Sequence, residues 1–260
     1  MGGTAPRKIF VVGGTGYIGQ AICSRALARG WDVLSLSRHG GPKHEVNAAP
    51  SPSYSAKAVK WIKGDALKPE TYKEHLVGCS AVVHSVGIIM EANYKKFLNI
   101  GYKTTASHNT TTFESANRDT ALSIAQAARN VDGLSTIVYM SASDVFPVLN
   151  PRYISTKREV EKDLLAHMDQ MRPVILRPGL VYSSARLATL PVAAGVSLFN
   201  TLYNRTPLGC VLKNTPLSKM ASPAVHRETV ARAIINAIED SEISGILEPA
   251  DIERIGGTHI

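Results

Sequence analysis

The chain has 260 residues, of which 44% are hydrophobic and 19% are charged. This length and composition suit one folded domain with a full core, and they exclude a disordered, collagen-like or coiled-coil protein. The net charge is +8, but Lys and Arg are scattered along the chain, so charge does not indicate nucleic-acid binding. Cys23, Cys79 and Cys210 are far apart. They fit packing residues in a reducing compartment, with neither a disulfide framework nor a metal site.

Segments with strand and helix patterns alternate along the chain. After the β-branched run 9–12, apolar residues recur at helical spacing at Ile18, Ile22 and Ala26. Strands are predicted at 9–12, 32–37, 59–62, 81–84, 136–140 and 173–176, and helices at 18–27, 70–76, 117–128, 155–168, 191–202 and 225–239. This alternation predicts an α/β fold, a Rossmann-type doubly wound parallel sheet with helices on both faces.

The pattern changes after Gly179. We therefore interpret residues 1–260 as a single Rossmann domain in which 180–260 contribute a small C-terminal lobe for a substrate or partner. Its apolar segment 190–199 is either core or interface, and no apolar run is long enough for a simple membrane-spanning helix. The segments 39–57 and 88–112 are predicted loops. Because eight residues precede the first predicted strand, any targeting signal would be internal or missing from this sequence.

A glycine-rich turn, Gly13-x-x-Gly16-x-x-Gly19, joins the first strand to the first helix. Glycines at this spacing in a βαβ unit allow a tight turn and close approach of the backbone to a pyrophosphate. The free N–H groups and positive dipole end of the helix then favour the phosphates. A turn without a ligand is the alternative, but the position of the motif directly after the first strand favours a dinucleotide.

The end of the second strand indicates which dinucleotide is bound. Proteins that bind NAD place Asp or Glu about twenty residues after the glycines, where it holds the ribose 2′-hydroxyl. Ser37 and Arg38 occupy that place, with no acidic residue beside them. Since an Arg pairs with a 2′-phosphate and stacks on adenine, NADP(H) is favoured over NAD(H). A solvated loop cation is the alternative interpretation of Arg38.

Tyr153 and Lys157 lie one helical turn apart at the start of the helix after strand 136–140. That position would bring them near the nicotinamide end of a cofactor bound at the glycine turn. A Lys beside a Tyr favours the phenolate, which would make Tyr153 a general acid or base at neutral pH. The same Lys can bond the nicotinamide ribose.

Four motifs resemble those of the short-chain dehydrogenase/reductases, in particular their extended and atypical branch. They are the glycine-rich turn, His84-Ser85-Val86-Gly87 after the fourth strand, Tyr153-x-x-x-Lys157, and Arg177-Pro178-Gly179 after the sixth strand. The resemblance runs from Lys8 to about Ile238. It implies the Rossmann fold and oxidoreduction with a nicotinamide cofactor, NADP(H).

Within this branch, stretches 83–88 and 153–159 are similar to a fungal mitochondrial group that acts in ubiquinone (coenzyme Q) biosynthesis. The NADPH-binding accessory subunits of respiratory complex I are related to that group. The resemblance implies a location on the matrix side of the mitochondrial inner membrane, with peripheral contact to that membrane. It also implies other coenzyme Q biosynthesis proteins as partners and an apolar small molecule as substrate.

The resemblance also assigns residues to each part of the cofactor. Those that would meet the pyrophosphate are Gly13, Thr15, Gly16, Tyr17 and Ile18, and those that would meet the 2′-phosphate are Ser37 and Arg38. Those that would flank the adenine are Asp65 and Ala66, and those that would lie along the cofactor are Ser85, Val86 and Gly87. Those near the nicotinamide would be Pro178, Gly179 and Val181, together with Tyr153 and Lys157.

The chain departs from the family at one catalytic position. The family's catalytic Ser follows the fifth strand, and aligning Val145-Phe146 with the usual Val-Tyr places Ala142 there. Ser141 and Ser143 flank that position, and adjacent residues at a strand end point in different directions. We take Ser141, or a backbone group, as the candidate replacement that holds the substrate carbonyl.

Three functions remain open from the sequence. The first is an oxidoreductase that uses NADP(H) on an apolar carbonyl or quinone-pathway compound, which the Tyr153–Lys157 pair favours. The second is a nucleotide-bound scaffold without chemistry, which Ala142 favours, since a bound nucleotide stabilises a fold by mass action. The third is an epimerase or reductase of nucleotide sugars, which shares the fold but usually has a larger C-terminal lobe.

Overall fold

The computed structural model describes residues 7–42, 58–87, 114–143, 151–183, 190–206, 215 and 222–257. The strands are β1 (Lys8–Val12), β2 (Asp32–Ser37), β3 (Lys60–Lys63), β4 (Ala81–His84), β5 (Thr136–Met140), β6 (Arg172–Leu176), β7 (Val181–Tyr182), β8 (Val225–His226) and β9 (Gly245–Leu247). The α-helices are α1 (Tyr17–Ala28), α2 (Thr120–Arg129), α3 (Pro151–Ala166), α4 (Leu190–Arg205), α5 (Arg227–Glu239) and α6 (Pro249–Gly256). Seven strands form a parallel sheet in the order β3-β2-β1-β4-β5-β6-β9, and β7 pairs with β8 in a separate parallel ribbon.

Helices cover both faces of the large sheet, which confirms the predicted Rossmann-type fold. Side chains of β1 alternate between two cores, because successive residues of a strand point to opposite faces. Ile9 and Val11 pack in a core that includes residues of α1, α5 and α6. Phe10 and Val12 pack in the other core, with residues of α2 and α3. The apolar runs in the central strands are therefore explained by burial on both sides.

Several element boundaries differ from the sequence prediction. Segment 70–76 forms two short 3₁₀ turns, Pro69–Thr71 and Lys73–Leu76, instead of one helix. A π-helical turn, Glu114–Asp119, leads into α2. Helix α3 begins at Pro151, since proline lacks an N–H and suits a first turn.

The C-terminal part contains elements that the sequence did not predict. Strand β9 has three residues and pairs with β6 through a contact distant in sequence, so no local pattern indicates it. Residues Val225–His226 form β8, and α5 starts after them. Cys23 and Cys79 are buried as expected, while Cys210 and most of the predicted loops 39–57 and 88–112 lie outside the described residues.

The topology places a switch point at the carboxyl edge of the sheet, where a ligand-binding crevice is expected. Strand β1 lies between β2 and β4, so the strands that follow β1 are added on both sides of it. Such a switch point is where open α/β sheets bind ligands. Val196 of α4 packs with Ala224, Leu180 and Tyr182 in a small cluster that joins the β7–β8 ribbon.

Candidate nucleotide-binding and active site

The glycine-rich turn connects β1 to α1 at this crevice. Gly13 has a φ of +89°, a conformation that glycine adopts without steric cost. A Cβ on Gly19 would lie 2.1 Å from the carbonyl oxygen of Gly13, so the helix packs directly on the turn. Gly16 is the N-cap of α1 and, as glycine, offers no side chain to the first N–H groups. The turn can therefore present the N–H groups of Tyr17 and Ile18 to an anion.

The residues assigned to the 2′-phosphate and adenine follow β2 and β3. Arg38 is exposed and forms no hydrogen bond or ion pair with the rest of the described chain. The Ser37 hydroxyl donates to the carbonyl oxygen of Gly40, which turns the backbone beside Arg38. The Asp65 carboxylate accepts from the N–H of Leu67 at 3.0 Å, and the next residue, Ala66, is buried. Arg38 is thus available to a phosphate.

The segment after β4 lies against the glycine-rich turn. The N–H and the hydroxyl of Ser85 both donate to the carbonyl oxygen of Val12, at 3.0 and 2.9 Å. A Cβ on Gly13 would lie 3.0 Å from Cγ2 of Val86. A Cβ on Gly87 would lie 3.4 Å from Nζ of Lys157. Residues 85–87 thus connect the glycine-rich turn to Lys157.

Tyr153 and Lys157 are buried on the first turns of α3, with 6% and 1% of their surfaces exposed. The Lys157 ammonium donates to the carbonyl oxygens of Met140, at 2.9 Å, and of Val86, at 3.4 Å. It also lies 4.9 Å from the ring centre of Tyr139 and 5.9 Å from that of Tyr153. The ends of β4 and β5 therefore hold the ammonium between two aromatic rings.

The pKa values of this pair differ from the expectation that the Lys lowers the pKa of the Tyr. Burial raises the pKa of Tyr153 to about 12. Burial lowers the pKa of Lys157 to about 7, although the charge of Glu161 opposes this shift. Desolvation disfavours each charged form, so the phenol is protonated at neutral pH in this structure.

Asn117 lies beside Gly87 and Lys157, and the sequence analysis did not single it out. It is fully buried in the π-helical turn, and its carbonyl oxygen accepts from the Tyr139 hydroxyl at 3.4 Å. A Cβ on Gly87 would lie 3.6 Å from its Oδ1, next to Lys157. A π-helical turn often marks a functional position. An Asn at a helix start resembles an ordinary cap in sequence, so nothing there distinguished it.

His84, at the end of β4, is buried behind Tyr139. Its Nε2 lies 3.2 Å from the hydroxyl of Thr120, and the two rings are 5.8 Å apart. Burial and the charge of Lys157 lower the pKa of His84 to about 3. The imidazole is therefore neutral and contributes to packing behind the pair.

Ser141, the sequence candidate for holding the carbonyl, has another partner in the structure. Its buried hydroxyl donates to Oε1 of Glu161 on α3. Glu161 also accepts from Arg158 and, through both oxygens, from Arg177 after β6. Burial alone would raise the pKa of Glu161, but the bonds from Arg177 and Ser141 hold it below its usual value. Ser141 therefore belongs to an ion cluster that fastens α3 to the ends of β5 and β6.

Ser143 lies two residues further along, on the other side of Ala142. Its N–H donates to the carbonyl oxygen of Pro178 at 3.1 Å. Its hydroxyl is buried and has no hydrogen-bond partner among the residues that the structure describes. A Cβ on Gly179 would lie 3.6 Å from this hydroxyl. An unpaired buried hydroxyl is costly and uncommon, so Ser143 is positioned to bond a ligand beside Pro178 and Gly179.

The chain after Gly179 continues into the β7–β8 ribbon. Val181 pairs with Val225 across the β7–β8 ribbon. On α4, Val196 is buried, whereas Leu198 and Leu202 are 62% and 44% exposed. The described side chains of α4 thus include both packed and exposed apolar residues. No helix within the described parts of the chain is long and apolar enough to cross a membrane.

A separate cavity of about 450 Å³ lies at the opposite, amino-terminal edge of the sheet. Its lining includes Lys8, Asp32 and Lys60, the first residues of β1, β2 and β3. It contains none of the residues assigned to the cofactor.

Comparison with known proteins decides the family. Residues 9–193 match the NAD dependent epimerase/dehydratase family, so the match spans both the glycine-rich turn and the Tyr–Lys pair. The chain belongs to this family. It is an NAD(P)-binding protein of an oxidoreductase-type family, which confirms the resemblance to short-chain dehydrogenase/reductases.

The chain is similar to proteins that are named for different activities or complexes. MIOREX complex component 2 of Saccharomyces cerevisiae is 27% identical over 275 residues, covering 94% of this chain and 98% of the relative. A 2-alkyl-3-oxoalkanoate reductase of Stenotrophomonas maltophilia is 26% identical over 203 residues, covering 71% of this chain and 54% of the relative. The crystal structure of Thermus thermophilus UDP-glucose 4-epimerase in complex with NAD has a TM-score of 0.59 at 18% identity. That similarity covers 93% of this chain and 77% of the epimerase, and it shows the shared fold.

Proposed function

We propose that this protein is an NADP(H)-dependent oxidoreductase that acts on an apolar carbonyl or quinone-pathway compound in mitochondrial ubiquinone (coenzyme Q) biosynthesis. The observation that carries the proposal is the buried Tyr153–Lys157 pair, which adjoins Gly87 and the end of β5 in the crevice. A buried ionisable pair with shifted pKa values in a cleft is typical of a catalytic site. The similar reductase supports this class of reaction.

The proposal assigns a group of residues to each part of the cofactor. The diphosphate would bond the turn of Gly13, Thr15, Gly16, Tyr17 and Ile18. The adenine end would lie among Ser37, Arg38, Asp65 and Ala66. The nicotinamide end would lie among Ser85, Val86, Gly87, Tyr153, Lys157, Pro178, Gly179 and Val181. Of these, Arg38 favours NADP(H) over NAD(H), since it is exposed and without a partner in the described chain.

Tyr153 would act as the general acid. A reduced nicotinamide held beside Tyr153 and Lys157 would supply a hydride to the carbonyl carbon. Tyr153 gives its phenolic proton to the carbonyl oxygen, and a pKa of about 12 keeps that proton in place at neutral pH. Lys157, held by the carbonyl oxygen of Met140, stabilises the phenolate that remains.

We assign the carbonyl-holding role to Ser143 in place of Ser141. The Ser141 hydroxyl is already used by Glu161. The Ser143 hydroxyl is buried without a described partner, so a substrate oxygen would supply the acceptor that it lacks. Ala142 between them is then consistent with catalysis, because the hydroxyl comes from the next residue.

The small lobe, residues 180–260, would contribute the substrate entrance and the partner contact. Exposed Leu198 and Leu202 on α4 suit an apolar substrate, a protein partner or the inner-membrane surface. The similarity to a component of a complex supports protein partners. Coenzyme Q biosynthesis proteins and the matrix side of the inner membrane are the partners and location that the sequence resemblance suggests.

A scaffold without chemistry is the second candidate, and one observation favours it. Lys157 bonds the backbone of β4 and β5, so the Tyr–Lys arrangement stabilises the fold even without a substrate. Complementation in a strain that lacks the protein separates the two. The enzyme requires that Tyr153→Phe lose coenzyme Q production. The scaffold requires that Tyr153→Phe keep coenzyme Q production. It also requires that Gly16→Val, which blocks the pyrophosphate, abolish coenzyme Q production.

The direct test is biochemical. The nucleotide released from the purified protein is identified by mass spectrometry, and NADPH oxidation is followed with 3-oxoalkanoates, alkylated quinones and UDP-sugars. We expect NADP(H) and turnover of an apolar carbonyl compound. Ser143→Ala should slow turnover more than Ser141→Ala. If no compound is turned over and the Tyr153→Phe variant still supports coenzyme Q production in cells, the enzyme proposal is wrong and the scaffold function takes its place.

A further inference from the structure

Arg227, the first residue of α5, lies beside the glycine-rich turn although it is distant in sequence. Its guanidinium carbon is 5.1 Å from the ring centre of Tyr17, the first residue of α1. An arginine at this distance over an aromatic face forms a cation–π contact. A positive charge is therefore held next to the helix end that would meet the diphosphate.

The two helices bring their N-termini to the same place. Arg25 of α1 pairs with Glu228 at 3.1 Å, and Arg29, just after α1, bonds Asn236 and Glu239 near the end of α5. The helices thus run side by side in the same direction. Each helix N-terminus carries a partial positive charge, so two such ends and the guanidinium of Arg227 favour an anion at the turn.

The donors of Arg227 are incompletely used. One nitrogen, Nη2, lies 3.2 Å from Oε1 of the adjacent Glu228, whose other oxygen is held by Arg25. The Nε of Arg227 is buried and has no hydrogen-bond partner in the described chain. A charged donor that is buried without an acceptor destabilises the free protein, and a phosphate oxygen is the acceptor that the fork of an arginine bonds best.

We infer that Arg227 is a binding residue for the diphosphate of the dinucleotide, which it reaches from α5 across the ring of Tyr17. This inference rests on the proposed function, since it presumes that a dinucleotide binds at the turn. It also gives α5 a direct contact with the cofactor. The diphosphate is common to NADPH and NADH, whereas the 2′-phosphate assigned to Arg38 is present in NADPH alone.

Isothermal titration of NADPH and NADH tests the inference. We expect Arg227→Ala to raise Kd for both nucleotides by the same factor, about tenfold, which corresponds to one charge-assisted contact. Arg38→Ala should raise Kd for NADPH alone. Arg227→Gln removes the charge but keeps a polar side chain longer than that of alanine, and it serves in place of the alanine variant should the latter not fold.

Arg25→Ala is the matched control, because it breaks the other ion pair of Glu228 at the same helix interface but lies away from the turn. It should change Kd less than twofold. The inference would be overturned if Arg227→Ala left both Kd values unchanged or raised the Kd for NADPH alone. It would also be overturned if Arg25→Ala raised the Kd values as much as Arg227→Ala does. None of these outcomes would contradict the proposed function. Wild-type protein that bound neither nucleotide would overturn both.

Discussion

The ammonium of Lys157 donates to the carbonyl oxygen of Met140 at 2.9 Å, whereas the ring centre of Tyr153 lies 5.9 Å from the same nitrogen. The position of the Lys is therefore set by the backbone of β5 and not by the phenol. This separation lets each member of the pair be changed without moving the other.

Tyr153→Phe should lower kcat at least ~100-fold, because the general acid is lost. The Kd for NADPH should stay within about twofold, since β5 still holds Lys157. Turnover and titration calorimetry on the same samples check this. Tyr182→Phe, in the β7–β8 ribbon, is the control and should retain turnover. A Tyr153→Phe protein with wild-type kcat would contradict the assigned role.

Lys157→Met should change how stability depends on pH. The pKa of Lys157 is about 7 in the folded protein, against an ordinary value of 10.5. Between these values only the unfolded chain binds the proton, so wild-type stability gains up to about 1.4 kcal/mol per pH unit from this residue as pH rises. The variant lacks that gain. Urea unfolding from pH 7 to 9.5 measures the free energy of unfolding of the wild type and the variant as a function of pH. If the two curves were parallel, Lys157 would not be buried as described.

Arg38→Ala should raise Kd for NADPH at least tenfold, since a paired 2′-phosphate contributes over ~1.4 kcal/mol. The Kd for NADH should not change, because NADH lacks that phosphate. Titration of both nucleotides checks this, with Arg254→Ala, an exposed cation on α6, as the control. Equal affinity of the wild type for the two nucleotides would remove the basis for NADP(H).

Glu161→Gln should lower the free energy of unfolding at pH 7 by about 3 kcal/mol, because it removes the buried carboxylate charge that Arg158 and Arg177 share. Glu161 is 3% exposed. The control, Glu159→Gln on the same helix, removes a carboxylate that is 53% exposed and should cost less than about 1 kcal/mol. Chemical denaturation measures both.

The effect of Glu161→Gln should also depend on pH. The folded-state pKa of Glu161 lies below its ordinary value, so its contribution is complete above that ordinary value and is lost as pH falls through the folded-state pKa. The difference between wild type and variant should therefore narrow in acid. If the difference in unfolding free energy between wild type and variant stayed constant down to pH 3, the carboxylate charge would not be what stabilises the cluster.

Local patterns were enough to predict most of the sheet, the glycine-rich turn and the Tyr–Lys spacing. A βαβ unit, a turn that needs glycine and a pair one helical turn apart are each contained in a short stretch of chain. Secondary-structure propensity and hydrophobic periodicity depend on residues close together in the chain. These features could therefore be predicted without any knowledge of tertiary contacts. The exceptions were short elements such as β9, whose three residues form a strand only because β6 offers them a partner.

Tertiary structure alone decided which side chains around the pair are available. Ser141 and Ser143 are equivalent in sequence, but the Ser141 hydroxyl bonds Glu161, whereas the Ser143 hydroxyl is buried without a partner among the described residues. Arg227 reaches Tyr17 only because α5 packs beside α1. The pKa of Tyr153 is raised by burial, where the sequence suggested that Lys157 would lower it. The partners of a side chain, its burial and its contacts with distant segments are set by the packed molecule, because the groups that surround it come from elements far away in the chain.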